Sequence, residues 1–148
     1  MRAAFRTTVA IEHPAFRGQR VVIHDVLVDT GAEATWVPRA MLEQLGISVE
    51  RSERYRMADG RILTRDVGFA LVHVAGKATA DDVVFAEPGD LTILGARSLE
   101  GLNLRVDARA KQLVSAGPIT TAACRTVKPL AVSRCPSFTR PQRRVTMD

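Results

Sequence analysis

Aromatic residues make up only 5% of this chain, with a single Trp and a single Tyr. Aliphatic side chains must therefore fill whatever core it builds. Val, Leu and Ala dominate the central region, which suits strands. Cysteine is scarcer still: Cys124 and Cys135 both fall near the C-terminal end. A disulfide scaffold would spread cysteines through the folded body, so that class is excluded. The two cysteines form no C-x-x-C and have no histidine near them, which excludes the usual structural zinc site. No apolar run is long enough to cross a membrane. Met1-Arg2-Ala3-Ala4-Phe5-Arg6 lacks the apolar stretch of a secretory signal. The expectation is a soluble cytoplasmic protein.

What remains is ordinary globular material. The 148 residues are 46% apolar and 25% charged, enough for one domain with a real core. The net charge of +5 is unevenly placed. Segment 116–148 carries six of the 21 basic residues and one of the 16 acids, leaving 15 of each sign in 1–115. Four of the seven prolines also lie in that segment. It reads as a flexible, solvated basic tail following a domain over 1–115. A basic tail can also touch nucleic acid, but no aromatic interleaving or nucleic-acid module accompanies it, which argues against that partner.

Within 1–115, many short apolar runs are separated by turn signals, the pattern of an all-β barrel or sandwich. Strands are expected over 5–12, 20–28, 33–37, 67–74, 78–86 and 91–95. Pro38 can open a short helix that Gly46 closes. Residues 53–57 and 61–64 read as a hairpin around Ala58-Asp59-Gly60, because Asp-Gly is a strong two-residue turn. Residues 96–102 suggest a turn or two of helix, and 104–106 with 111–115 a last hairpin.

One residue is out of place in this pattern. Asp29 follows the run Val26-Leu27-Val28, where a strand end should be apolar. A carboxylate there is costly to bury unless it is hydrogen-bonded. Thr30 offers a hydroxyl, Gly31 allows close backbone approach, and Ala32 leaves access open. An Asx-type turn between two strands would use the same residues, so Asp-Thr-Gly alone is a weak signal. A second element strengthens it: Ile93-Leu94-Gly95, an apolar strand with a glycine stop, lies far downstream.

Taken together, the Val28-Asp29-Thr30-Gly31-Ala32 loop, the Thr92-Ile93-Leu94-Gly95 strand and the intervening Asp-Gly hairpin resemble the retropepsin-like aspartic proteases, particularly their small prokaryotic single-domain members. The resemblance covers roughly residues 5–115. It implies a closed all-β barrel with one or two short helices and one catalytic carboxylate, Asp29, per chain. It also implies a homodimer, because no second Asp-Thr-Gly or Asp-Ser-Gly occurs. Two Asp29 carboxylates would share one proton and activate a water against a peptide or protein substrate. No metal or other cofactor is implied. Thr30 would brace the opposite loop. Gly31, Ala32 and Glu33, with Ala58, Asp59 and Gly60 of the lid hairpin, would face substrate.

Two departures from the family pattern stand out. Glu33 occupies a position where retroviral members commonly carry Asp, and Ala96 one where many carry Arg, with Arg97 a residue later. A Glu33–Arg97 ion pair can replace the usual pair, or the two can be unrelated surface charges. The alternative to an endopeptidase is the same barrel used as a non-catalytic peptide- or protein-binding module. Other residues offer less. Alternation along 20–28 places Asp25 on the same side as Asp29, and a second carboxylate in that strand reads as solvent-facing, not catalytic. His13, His24 and His73 have no ligand spacing, and Ser98 and Ser115 lack a nucleophile's context. Trp36 reads as core, close enough to the loop to touch a substrate pocket.

Overall fold

The structure, a computed structural model, describes residues 5–120. The chain divides into two units, Met1–Gly117 and Pro118–Asp148, and every strand and helix named below belongs to the first. The expectations for the basic tail and for Cys124 and Cys135 fall largely outside the described residues.

The described residues form nine strands and two short helices in the order β1 (Phe5–Glu12), β2 (Arg20–Val28), β3 (Thr35–Pro38), α1 (Arg39–Gln44), β4 (Arg51–Arg56), β5 (Ile62–Val74), β6 (Lys77–Ala86), β7 (Ile93–Leu94), α2 (Ala96–Gly101), β8 (Leu104–Asp107) and β9 (Gln112–Ser115). Seven of them pair in the order β1-β2-β7-β3-β6-β5-β4. β1 also pairs with β5, through Ala10–His73, Ile11–Val72 and Glu12–Leu71. That pairing closes six strands into a ring, with β4 attached outside it as the partner of β5. The fold is a closed all-β barrel with two short helices, as the sequence suggests. β8 and β9 form a separate two-stranded sheet.

Alternation along the strands puts Val9, Ile11, Ile23, Val26, Val28, Val72, Val83, Phe85 and Leu94 inside the barrel, each at most 7% exposed. Aliphatic side chains dominate this core, and Phe85 is its one buried aromatic. A second apolar cluster occupies the opposite face of β3, β6 and β7: Trp36, Val67, Val84, Ala86 and Ile93.

Three expectations need correction. The alternation across Asp25 fails. Val9 pairs with Ile23 but Thr7 with Val26, so one extra residue sits in β2 as a bulge, with Asp25 at φ +57°. The bulge resets the phase: Ile23 and Val26 both point inward although three apart. Asp25 is exposed, but not through strict alternation with Asp29.

The arm at 61–64 and the strand at 67–74 are one strand, β5, of 13 residues. Arg65 and Asp66 interrupt its apolar pattern without breaking it, because both charges are partnered. The Arg65 guanidinium holds the Asp90 carboxylate through two bonds of 2.7 and 3.0 Å. Asp66 accepts from Arg39 at 2.5 Å and Ser52 at 2.8 Å.

The strand expected from Glu33 begins only at Thr35. The Glu33 carbonyl is instead taken by the Arg97 N–H.

Candidate active site

Asp29 lies just past the end of β2, partly buried. Its carboxylate Oδ1 accepts the Gly31 N–H at 2.9 Å, and its carbonyl accepts the Ala32 N–H at 3.2 Å. These bonds fold residues 29–32 into a tight turn. Thr30, Gly31 and Glu33 are exposed and Ala32 is half-buried.

The turn is held from behind by the segment around β7. The Leu27 N–H donates to the Thr92 carbonyl and the Asp29 N–H to the Leu94 carbonyl, both at 3.1 Å. On the other limb, the Ala96 N–H donates to the Ala32 carbonyl at 2.8 Å and the Arg97 N–H to the Glu33 carbonyl at 3.0 Å. Residues 92–97 thus cross behind the loop and bind both of its ends.

Gly95 is required at the crossing for space, its φ of −91° being ordinary. A Cβ there would fall on the carbonyl group of Ala34 and 2.8 Å from the Glu33 oxygen.

The hairpin β4–β5 turns at Ala58-Asp59-Gly60 as expected. The Met57 N–H donates to the Arg61 carbonyl at 2.8 Å, and Gly60 adopts φ +88°. Asp59 is committed to this turn. Its carboxylate accepts the Arg61 N–H at 3.0 Å and Nε at 2.6 Å, and these bonds, the backbone one first, hold it below the usual carboxylate range. Ala58 and Gly60 are exposed at the tip.

Tyr55 and Met57 pack on the same apolar cluster as Leu27, Ala32 and Ala34. The hairpin and the Asp29 loop therefore share one apolar floor, with Trp36 and Ile93 at its centre. Burial raises the Tyr55 phenol above its usual range.

Arg97 does not meet the Glu33 side chain. Its guanidinium lies 3.8 Å from Asp81 and 3.7 Å from Asp82, and it touches Glu33 only through backbone. The charges of Glu33 and Arg97 are thus unrelated. Sequence reasoning missed what lies beneath them. Thr35 and Ser98, 1% and 0% exposed, hydrogen-bond at 2.6 Å. The Gly95 N–H donates to Thr35 Oγ1 at 3.1 Å, and Ser98 Oγ donates to Asp81 Oδ2 at 2.8 Å. Nothing in the local pattern of any of these residues signals it.

The three histidines are accounted for. His13 accepts the Ala15 and Phe16 N–H groups, His24 meets Thr8, and His73 meets Glu12. Among the described residues no three His, Cys, Asp or Glu side chains come together as a metal site. No helix among them is long and apolar enough to cross a membrane. A cavity of about 430 Å³ lies between α1 and the Glu87–Asp90 turn, lined in part by Pro38, Arg39, Glu43 and Pro88, and it includes none of the residues expected at the site.

A closed barrel with an Asp-Thr-Gly turn backed by a glycine-ended strand defines the retropepsin class of aspartic proteases. The family model described as "gag-polyprotein putative aspartyl protease" matches residues 16–101, and the chain belongs to that family. Similar solved structures include the solution structure of the Simian Foamy Virus (mac) protease, 22% identical with a TM-score of 0.44, over 65% of this chain and 92% of that one. A retropepsin-like aspartic protease from Rickettsia conorii is 16% identical with a TM-score of 0.42, over 72% of this chain and 88% of that one. A comparison with curated protein sequences finds no match.

Proposed function

We propose that this protein is an aspartic endopeptidase in which two chains each contribute Asp29 to one site. The observation that carries this reading is the crossing of residues 92–97 behind the Asp29 turn. It binds both limbs of the turn that carries the Asp29 carboxylate, with Gly95 making the approach possible.

One chain supplies one such carboxylate, so a working site needs a second copy. Two carboxylates within hydrogen-bonding distance share a single proton. The ionised one takes a proton from a water held between them. That water attacks the scissile carbonyl while the protonated carboxyl donates to the developing oxyanion. Collapse of the tetrahedral species expels the amine, which takes up a proton from the pair. The pair titrates as a unit. In this reading Thr30 braces the partner's loop. Gly31, Ala32 and Glu33 border the substrate backbone. The hairpin tip at Ala58, Asp59 and Gly60 closes over the peptide and excludes water.

Purified wild type is expected to cleave members of a peptide library at acidic or neutral pH and to sediment as a dimer. Asp29→Asn should lower cleavage by roughly 10²–10⁴-fold while fold and sedimentation stay unchanged. Full activity in Asp29→Asn would exclude this reading. A second reading, a binding module without turnover, draws support from Arg97, which turns to Asp81 and Asp82 instead of pairing with Glu33. Peptide binding without cleavage, insensitive to transition-state inhibitors of aspartic proteases, would select it.

A further inference from the structure

We propose that Asp81 is a positioning residue for Asp29, acting through Ser98 and Thr35 on the strand that crosses behind the loop; this rests on the endopeptidase reading above. The direction of the hydrogen-bond chain follows from the groups themselves. Asp81 as a carboxylate can only accept, so Ser98 spends its single proton on Asp81 Oδ2 at 2.8 Å. Thr35 must then donate to Ser98 across 2.6 Å, which leaves its oxygen free to accept the Gly95 N–H at 3.1 Å. The sequence Gly95 N–H, Thr35 hydroxyl, Ser98 hydroxyl, Asp81 carboxylate has every donor and acceptor in register.

Its members come from four places: Gly95 at the crossing, Thr35 on β3, Ser98 on α2 and Asp81 on β6. Asp81 is itself fixed, its other oxygen accepting the Asp82 N–H at 2.8 Å. Two hydroxyls this deeply buried are costly unless fully bonded, and here they are. The strand end they hold is the one that matters to the site. Leu94 accepts from Asp29 on one side of Gly95, and Ala96 donates to Ala32 on the other. The chain therefore references the Asp29 turn to β6 in the barrel wall. A carboxylate pair needs that reference, because displacements of an ångström cost rate more than they cost binding.

The test is steady-state kinetics on the fluorogenic peptide best cleaved by wild type from a synthetic library, with amide hydrogen exchange at Asp29 and Ala96 on the same proteins. Thr35→Val, which keeps shape but removes both bonds, and Asp81→Ala, which removes the terminal acceptor, should each lower kcat by about 10- to 100-fold with KM within about 2-fold. Both should speed exchange at Asp29 and Ala96. Thr35→Ser and Asp81→Asn keep the bonding groups and should restore both readouts. If Thr35→Val proves too unstable to purify, Asp81→Ala carries the test from the other end of the chain. Unchanged kcat and exchange in Asp81→Ala would overturn the proposal, as would equal losses in the conservative variants. A wild type that cleaves nothing would sink the endopeptidase reading, and the exchange readout would still decide whether the chain positions the loop.

Discussion

The rings of Trp36 and Tyr55 meet edge to face, with centroids 5.2 Å apart and planes at 65°. Trp36 lies on β3, just after the Asp29 loop, and Tyr55 on β4, the strand outside the barrel ring. Within the sheet β4 pairs only with β5, and this contact ties its hairpin to the side of the barrel that carries Asp29. The chain has one Trp and one Tyr, and it uses both here.

Removing that anchor should loosen the hairpin before it unfolds the barrel. Edge-to-face pairs contribute about 0.5–1.5 kcal/mol beyond the area they bury. Tyr55→Ala should therefore cost about 1–3 kcal/mol in urea denaturation. Amide exchange in β4 and the first half of β5 should accelerate more than in β1 or β6. A uniform acceleration across all strands would show that the contact does not localise the hairpin's stability.

Gly95→Ala should be among the most damaging small substitutions in the chain. The added methyl meets the Ala34 carbonyl group, which is backbone and is itself fixed by the bonds of Ala32 and Glu33 to residues 96 and 97. Overpacking against such a site should cost about 3 kcal/mol or leave the protein unfolded. Gly60→Ala is the control. Its φ of +88° is strained for alanine, but nothing lies within 4 Å of the added atom. A cost near 1 kcal/mol is expected there. Equal midpoints for the two variants in urea denaturation would contradict the crowding at residue 95.

These cases show which parts of the molecule were legible in the sequence. The Asp29 turn announced itself because a charge interrupts an apolar run. The crossing strand did so because a glycine ends a short apolar one, and the hairpin because Asp-Gly permits few turns. Each signal is local. Ring closure is not, because Ala10–Glu12 meet Leu71–His73 only when the whole barrel is built. The bulge at Asp25 depends on register with β1, and the bond between Thr35 and Ser98 spans 63 residues. The continuity of β5 through Arg65 and Asp66 rests on Asp90 and Arg39, partners that no reading of neighbours would supply.

Burial of charge separates two further variants. Arg65 and Asp90, 17% and 12% exposed, form a two-bond pair that braces the Glu87–Asp90 turn against β5, and the Asp90 carboxyl also accepts the Glu87 N–H at 2.8 Å. Arg65 first, then that N–H, holds Asp90 below the usual carboxylate range against the opposing effect of burial. Asp90→Ala leaves a largely buried guanidinium unpaired and should cost about 2–4 kcal/mol. Glu33→Ala removes an exposed side chain with no ion-pair partner among the described residues, and its effect on stability should stay within about 0.5 kcal/mol. Thermal denaturation of both variants in the same buffer checks the contrast. A larger loss for Glu33→Ala would mean that its charge has a partner in the assembled protein.

Glu12 ties part of the barrel's stability to pH. It is 1% exposed at the end of β1, where β1 closes onto β5. Its carboxylate accepts the Gly18 N–H at 2.6 Å and His73 Nε2 at 2.8 Å, with Arg17 at 3.2 Å and Arg20 at 3.5 Å. The Gly18 bond is the largest influence. With the His73 bond and the two arginines, it outweighs burial and lowers the Glu12 pKa from 4.5 to about 2. A folded-state value below the unfolded one means that the unfolded chain binds the proton more readily. The stability that Glu12 contributes is complete above about pH 4.5 and drains away as pH falls towards 2. Glu12→Gln keeps an acceptor for Gly18 but has no charge to lose. It should be less stable than wild type at pH 6. The gap between their urea midpoints should close between pH 4.5 and 2, with wild type falling to meet the variant. A gap that persists unchanged at pH 2 would mean that Glu12 stabilises the barrel by shape and hydrogen bonding, not by its charge.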